Sequence, residues 1–223
     1  MTDLSVGTVA LVGGTGPLGR GLAARLGRAG LRVWLGSRDP ERAASVARDL
    51  PRDLSGGAGE VIGVSNQEAV TRAPIVIIAV PYEAIADQLS QLDGLGKDKV
   101  LVSTAVPVEF RAGLASAVSL SAGSATAEVA FLCPDARVVG ALHTVSASRL
   151  LRLAEAMNED VLISGDDLEA KALVNALVGR IPGLRPVDVG GLESAGLCET
   201  ITPLLLRLNR LHRAHTGVRI TGL

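Results

Sequence analysis

Gly14, Gly16 and Gly19 form a G-x-G-x-x-G pattern that follows the β-branched run Thr8–Val12 and opens an amphipathic stretch. In that context the pattern reads as the phosphate-binding turn of a dinucleotide site. Gly14 permits the tight turn, Gly16 lets backbone approach a pyrophosphate, and Gly19 lets the helix pack closely on the sheet. The free amides that open the helix then meet the anion. Thr15 adds a hydroxyl beside them, and Leu18 is an amide donor. Pro17 suits the first helical turn, where no helical bond needs its N–H. The alternative is a glycine-rich turn that binds nothing.

The end of the second expected strand carries the next signal. A site selective for NAD places Asp or Glu there, about 20 residues beyond the glycines, to accept from the ribose 2′-hydroxyl. This chain has Gly36-Ser37-Arg38 instead, with Arg42 four residues on. A hydroxyl and a guanidinium suit a 2′-phosphate, because Arg makes bidentate, charge-assisted bonds to it. The expected nucleotide is therefore NADP.

Residues for proton transfer are scarce. Tyr82 is the only tyrosine, so no Tyr-x-x-x-Lys pair exists. Of three histidines, His212 and His215 fall near the end of a helix, a favourable dipole position. His143, at the end of an expected strand, faces the ligand crevice if the sheet is open and parallel. Exchange of hydride between two cofactors needs no such acid or base, only two flat rings held about 3–3.5 Å apart. Val80-Pro81 and Val106-Pro107-Val108 could wall such a slot. Two other readings stand at this point: an NADP-dependent imine or small-carbonyl reductase with His143 as proton donor, and a non-catalytic module that senses NADPH.

The elements that must position these residues alternate. Leu31–Leu35, Glu60–Val64, Ile75–Val80, Lys99–Ser103 and Arg137–Leu142 read as strands, with helical stretches between them. This is the pattern of a parallel α/β sheet. Gly30 is expected to end the first helix, and Asp39-Pro40 to start the second. Pro51–Gly59 reads as a glycine-containing loop and Ala112–Thr126 as a mobile loop or partial helix. Asp160–Ser164 and Arg185–Val189 are further strands, and Asp167–Arg180 a helix. Asp166 and Glu169 read as a capping pair rather than metal ligands. Leu192–Ala214 is a long helix whose Leu197, Ile201, Leu204, Leu208 and Leu211 form one apolar stripe, which Pro203 should kink or split.

Composition narrows the function further. The 223 residues are 48% hydrophobic but only 2% aromatic, so the core must be aliphatic. A net charge of −1 provides no footprint for nucleic acid or an anionic membrane. No apolar run reaches the ~18 residues that span a bilayer, and no secretory leader is evident. Cys133 and Cys198 are too far apart for a CxxC motif and read as inert buried thiols. A cytoplasmic protein is expected.

With these residues in place, the chain resembles the NADPH-dependent reductases of coenzyme F420, an 8-hydroxy-5-deazaflavin. The resemblance runs through VALVGGTGPLGRGLAARL, GSRDPERA, VSTAVPV, GALHTV, SGDD, GLRPVDVG and ETITPLLLRLNR. It implies a Rossmann domain over 1–142 and a smaller C-terminal α/β domain over 143–223 that ends in a long helix and closes the deazaflavin cleft. It also implies reversible hydride transfer, with NADP and F420 as the cofactors and a homodimer as the assembly. By motif, Thr15, Gly16, Pro17, Leu18, Ser37, Arg38 and Arg42 match NADP-binding positions. Val80, Val106, Val108, Val145 and Ala147 match residues that line the two rings, with His143 in a positioning role.

Overall fold

The structure is a computed structural model that describes residues 6–51 and 59–223. The loop expected over Pro51–Gly59 falls mostly outside the described residues.

β1 (Thr8–Val12), β2 (Arg32–Ser37), β3 (Glu60–Ser65), β4 (Ile75–Ile78), β5 (Val100–Ser103) and β8 (Arg137–Gly140) form one parallel sheet, in the order β3-β2-β1-β4-β5-β8. The order reverses beside β1, which makes the crevice at its carboxyl end the ligand position for this topology. The central strands read as unbroken apolar runs because both faces are covered. Val9, Leu11, Val33, Leu35, Ile75, Ile77, Val100 and Val102 point to one face. Ala10, Val12, Val76, Ile78, Leu101 and Val138 point to the other. The core is aliphatic, as the composition requires.

Each face has its own helices. On the first lie α1 (Pro17–Arg28) and α7 (Leu168–Gly179), joined by the parallel pair β9 (Glu159–Ile163) and β10 (Leu184–Asp188). On the second lie α3 (Asn66–Arg72), α4 (Ile85–Ser90) and α5 (Ala125–Leu132). α2 (Pro40–Asp49) packs at the β3 edge through Ala43 and Val46. Residues 145–184 thus share the first-face core with the sheet, whereas the C-terminal helix packs on the strand Leu114–Ala117 and α5. Ser164, just past β9, pairs antiparallel with Gly140 at the end of β8.

Local signals set most boundaries. Gly30 follows α1 at φ +90°, and the Asp39 side chain accepts from Arg42 N at 3.0 Å to cap α2. Asp167 rather than Asp166 caps α7, accepting from Ala170 N at 2.8 Å. Asp166 instead accepts from Leu192 N, because the chain beyond β10 passes over it. α8 (Ala195–His212) runs unbroken through Pro203, so the expected split does not occur; a 3-10 turn at Leu192–Ser194 precedes it.

The 112–126 segment is a correction. It is neither a mobile loop nor a partial helix in its first half, but the return strand of a hairpin: β6 (Val108–Arg111) pairs with β7 (Leu114–Ala117). The two turn residues, Ala112 and Gly113, both have positive φ, as a tight hairpin turn of matching twist demands. Arg207 of α8 donates to Ala115 O at 2.6 Å, and Arg210 donates to Gly113 O. The hairpin is thus held by residues about 95 positions later in the chain. α5 then begins at Ser124, whose hydroxyl accepts from Ala127 N.

Candidate functional site

A cavity of about 560 Å³ opens at the carboxyl ends of β1, β2, β4 and β5. Its floor is the glycine turn. Gly14 N donates to Gly36 O at 2.8 Å, which ties the turn to β2. A Cβ at Gly19 would lie 2.4 Å from Gly14 O, so α1 sits on the turn more closely than any other residue allows. Gly16 differs. Its φ of −75° and ψ of 172° suit any residue, and a Cβ there would meet only Gly13 O at 3.8 Å. Neither backbone conformation nor packing within the protein asks for glycine at 16.

The helix above the turn is prepared for an anion. α1 has no side-chain cap and no acidic residue in its first turn, so no side chain competes with an anion for its leading amides. The Leu18 and Gly19 amides, early in the helix, have no partner within it. Thr15, Gly16, Pro17 and Leu18 all border the cavity. Gly14 is buried under the turn and supports it from below.

Ser37, Arg38 and Arg42 form the next wall. Ser37 Oγ accepts from Asp39 N at 3.1 Å, which leaves its O–H free to donate. Arg38 and Arg42 are exposed, and among the described residues neither guanidinium pairs with a carboxylate. Two unpaired cations and a free hydroxyl therefore stand at one end of the cavity.

At the opposite side, Ala79, Val80 and Pro81 leave β4, and Thr104, Ala105 and Val106 leave β5. Thr104 Oγ1 donates to Ile78 O at 2.9 Å and locks the two strand ends together. Val80 stands over the turn, with its Cγ1 2.4 Å from where a Gly13 Cβ would be. Tyr82 donates to Glu128 Oε2 at 2.8 Å. That hydrogen bond to a carboxylate holds the phenol above its ordinary pKa, so it stays protonated.

Four other expected residues are not among those lining this cavity. Val108 starts the hairpin, Val145 is buried in the first-face core, and Ala147 opens the short helix α6 (Ala147–Leu150) that packs on α1. His143 is buried. Its Nε2 lies 3.5 Å from Thr126 Oγ1 and 4.0 Å from Glu199 Oε1. Burial pushes the imidazole down to about 4, so at neutral pH this is a neutral ring beside a carboxylate and not an ion pair. Glu199, itself held above the carboxylate range by burial, accepts from the Ala125 and Thr126 amides and from Thr126 Oγ1.

Sequence reasoning missed Asn66, Asp87 and Gln88, which also border the cavity. No local signal marks them, since each is an ordinary polar residue in the first or second turn of a helix.

Comparison with known proteins agrees with this architecture. The family model described as NADP oxidoreductase coenzyme F420-dependent matches residues 8–107. The F420-dependent NADP reductase of Methanothermobacter marburgensis is 38% identical over 96% of this chain and 98% of its own length. Its namesake from Methanocaldococcus jannaschii is 35% identical over the same shares. A crystal structure of a putative F420-dependent NADP reductase from Arthrobacter sp. FB24 superposes with a TM-score of 0.79 at 25% identity, covering 96% of this chain and 98% of that one. End-to-end similarity on this scale, with the glycine turn and both strand-end walls in place, makes the chain a member of the F420-dependent NADP reductase family.

Proposed function

We propose that the protein transfers hydride reversibly between NADP(H) and the deazaflavin coenzyme F420, with NADP seated along the glycine turn. The observation that carries the nucleotide assignment is Gly16: the backbone is unstrained and open space lies above it, where a pyrophosphate can come close to the helix N-terminus. The uncapped α1 amides take the pyrophosphate, and Ser37, Arg38 and Arg42 take the 2′-phosphate.

The two cofactors supply the redox chemistry when bound; the chain holds them and excludes water. Val80 and Val106 present aliphatic walls at the strand ends, where the nicotinamide lies. Residues 143–223 close the deazaflavin side, with Val108, His143, Val145 and Ala147 on that face. This assignment draws on the family resemblance and on topology. The His143–Ala147 segment leaves β8 at the same carboxyl edge from which Thr104–Val106 leave β5. His143 acts by position, since its ring is unprotonated at neutral pH and lies behind Thr126. That same state speaks against an imine or carbonyl reductase relying on an imidazolium donor.

The test is spectrophotometric. Adding NADPH and catalytic protein to oxidised F420 bleaches its visible absorbance, and His143→Gln leaves the pH profile between 6 and 8 unchanged in shape. Tight NADPH binding without bleaching sinks the hydride-transfer reading and leaves a nucleotide sensor.

Two copies associate through α8 in this proposal. Leu197, Leu204 and Leu211 of the expected stripe are exposed, Leu211 by 75%, and Phe110 on the adjoining hairpin by 67%. An apolar strip of this kind is covered in most proteins. Light scattering should give a dimer mass that Leu204→Glu halves; a monomeric unaltered protein at micromolar concentration ends the idea. No helix among the described residues is long and apolar enough to cross a membrane. We place the protein in the cytoplasm without nucleic-acid partners, in keeping with its diffusible cofactors and unbridged cysteines. Fractionation that recovers the activity with membranes would contradict that placement.

A further inference from the structure

Two buried amides, Asn66 and Gln88, border the nucleotide cavity and have no part in the reading above. Their orientation follows from one unambiguous donor. The Gly13 backbone N–H can only donate, and Asn66 Oδ1 lies 3.1 Å from it. Asn66 therefore turns its oxygen to the glycine turn and its Nδ2 away. Nδ2 lies 2.8 Å from Gln88 Oε1, so Gln88 must turn its own Nε2 to the remaining side. That nitrogen has no acceptor among the described residues, on a side chain that belongs to a residue only 6% exposed. A donor without a protein partner on the wall of the cavity is free to bond a ligand or a water.

The place suggests which. Asn66 opens α3 directly after β3, and its Oδ1 lies 2.7 Å from where a Gly36 Cβ would be, over the end of β2. Asn66 thus bridges the glycine turn and the end of β2, and Gln88 reaches it from α4. With the pyrophosphate on α1 and the 2′-phosphate on Arg38, the base on that same ribose falls toward Ala84 and Gln88 of the opposite wall. A purine offers ring nitrogens whose in-plane lone pairs match an amide N–H, and Gln is a natural reader of adenine. We propose that Gln88 donates a hydrogen bond from Nε2 to a ring nitrogen of the adenine, and that Asn66 sets the direction of that donor. The proposal rests on the assignment of the cavity to NADP.

Calorimetric titration with 2′,5′-ADP, which carries adenine and both phosphates but no nicotinamide, tests it. Gln88→Leu weakens 2′,5′-ADP and NADP⁺ about tenfold, the loss of one buried hydrogen bond, and leaves KM for F420 unchanged. Gln88→Glu keeps the size and the bond from Asn66 but turns an oxygen to the base, and weakens binding at least as much. Asn66→Asp still accepts from Gly13 but now offers Gln88 an acceptor, which reverses the Gln88 amide and gives a similar loss. The double variant Asn66→Asp, Gln88→Leu loses less than the sum of the two single losses, because both changes remove the same bond and only the charge of the Asp adds to it. Binding of 2′,5′-ADP within twofold of the unaltered protein by both Gln88 variants overturns the proposal, as does full additivity in the double variant. If the unaltered protein itself fails to bind 2′,5′-ADP, the NADP assignment falls and takes this inference with it. The two failures are therefore distinct.

Discussion

Replacing Arg38 by Asp raises the NADP⁺ dissociation constant about 100-fold while changing that for NAD⁺ less than threefold. The size follows from two effects of like sign. A guanidinium with no carboxylate partner among the described residues is lost from the 2′-phosphate, and a negative charge replaces it. NAD⁺ has only a hydroxyl at that position, which a carboxylate accepts from without penalty. Arg42 limits the damage, since it lines the same wall from the first turn of α2. Arg42→Ala alone therefore costs less than Arg38→Asp, and the pair of changes costs most. Equal losses for both nucleotides in a fluorescence titration would remove the basis for NADP selectivity.

Gly19→Ala should destabilise the protein by about 3 kcal/mol, the upper range for overpacking, since its Cβ falls on backbone that cannot rotate away. The atoms it meets are the O, Cα and C of Gly14, at 2.4, 2.5 and 2.6 Å. In a chain of this size that corresponds to a melting point about 6–12 °C lower. NADP⁺ binding falls with it, because α1 must lift off the turn that aims its amides. Gly16→Ala is the informative contrast. The protein has room for that methyl, so the cost in stability is confined to the preference for Gly over Ala at a helix N-cap, under about 1 kcal/mol, while the methyl stands where pyrophosphate approaches. Nucleotide affinity then drops at least tenfold, with the melting point of the nucleotide-free protein lowered far less than by Gly19→Ala. Should Gly16→Ala bind NADP⁺ normally, Gly16 has another explanation and the cavity loses its strongest claim to a dinucleotide.

The residues behind these two predictions stand out in the sequence because the features they form are local. A strand that ends in glycines, a proline in the next helical turn and a cation in place of an acid all lie within 35 residues of one another. Each acts on its neighbours through backbone geometry or short-range charge. The parallel sheet was readable for a similar reason: strands covered on both faces become continuous apolar runs, whatever covers them.

Where the reading departed from the structure, the cause is distant in the chain. The Ala112-Gly113 turn lacks the Asn-Gly or Asp-Gly signal of a tight hairpin and is secured by Arg207 and Arg210. α5 shows no helical period because Phe131 and Leu132 are exposed while Ala125, Thr126 and Val129 are buried, and the carboxylate of Glu199 helps satisfy its first amides. Asn66 and Gln88 look unremarkable until Gly13 is seen to orient them.

The sequence by itself determined the parallel α/β scaffold, the phosphate turn and the cationic strand end, since propensity, glycine chemistry and charge act over a few residues. Tertiary structure alone decided that residues 145–184 share the sheet's core, that His143 faces Thr126 and Glu199, and that Asn66 and Gln88 pair at the cavity wall. Those outcomes depend on which surfaces meet across the fold, and hydrophobic burial, being non-directional, leaves no record of that choice in local sequence.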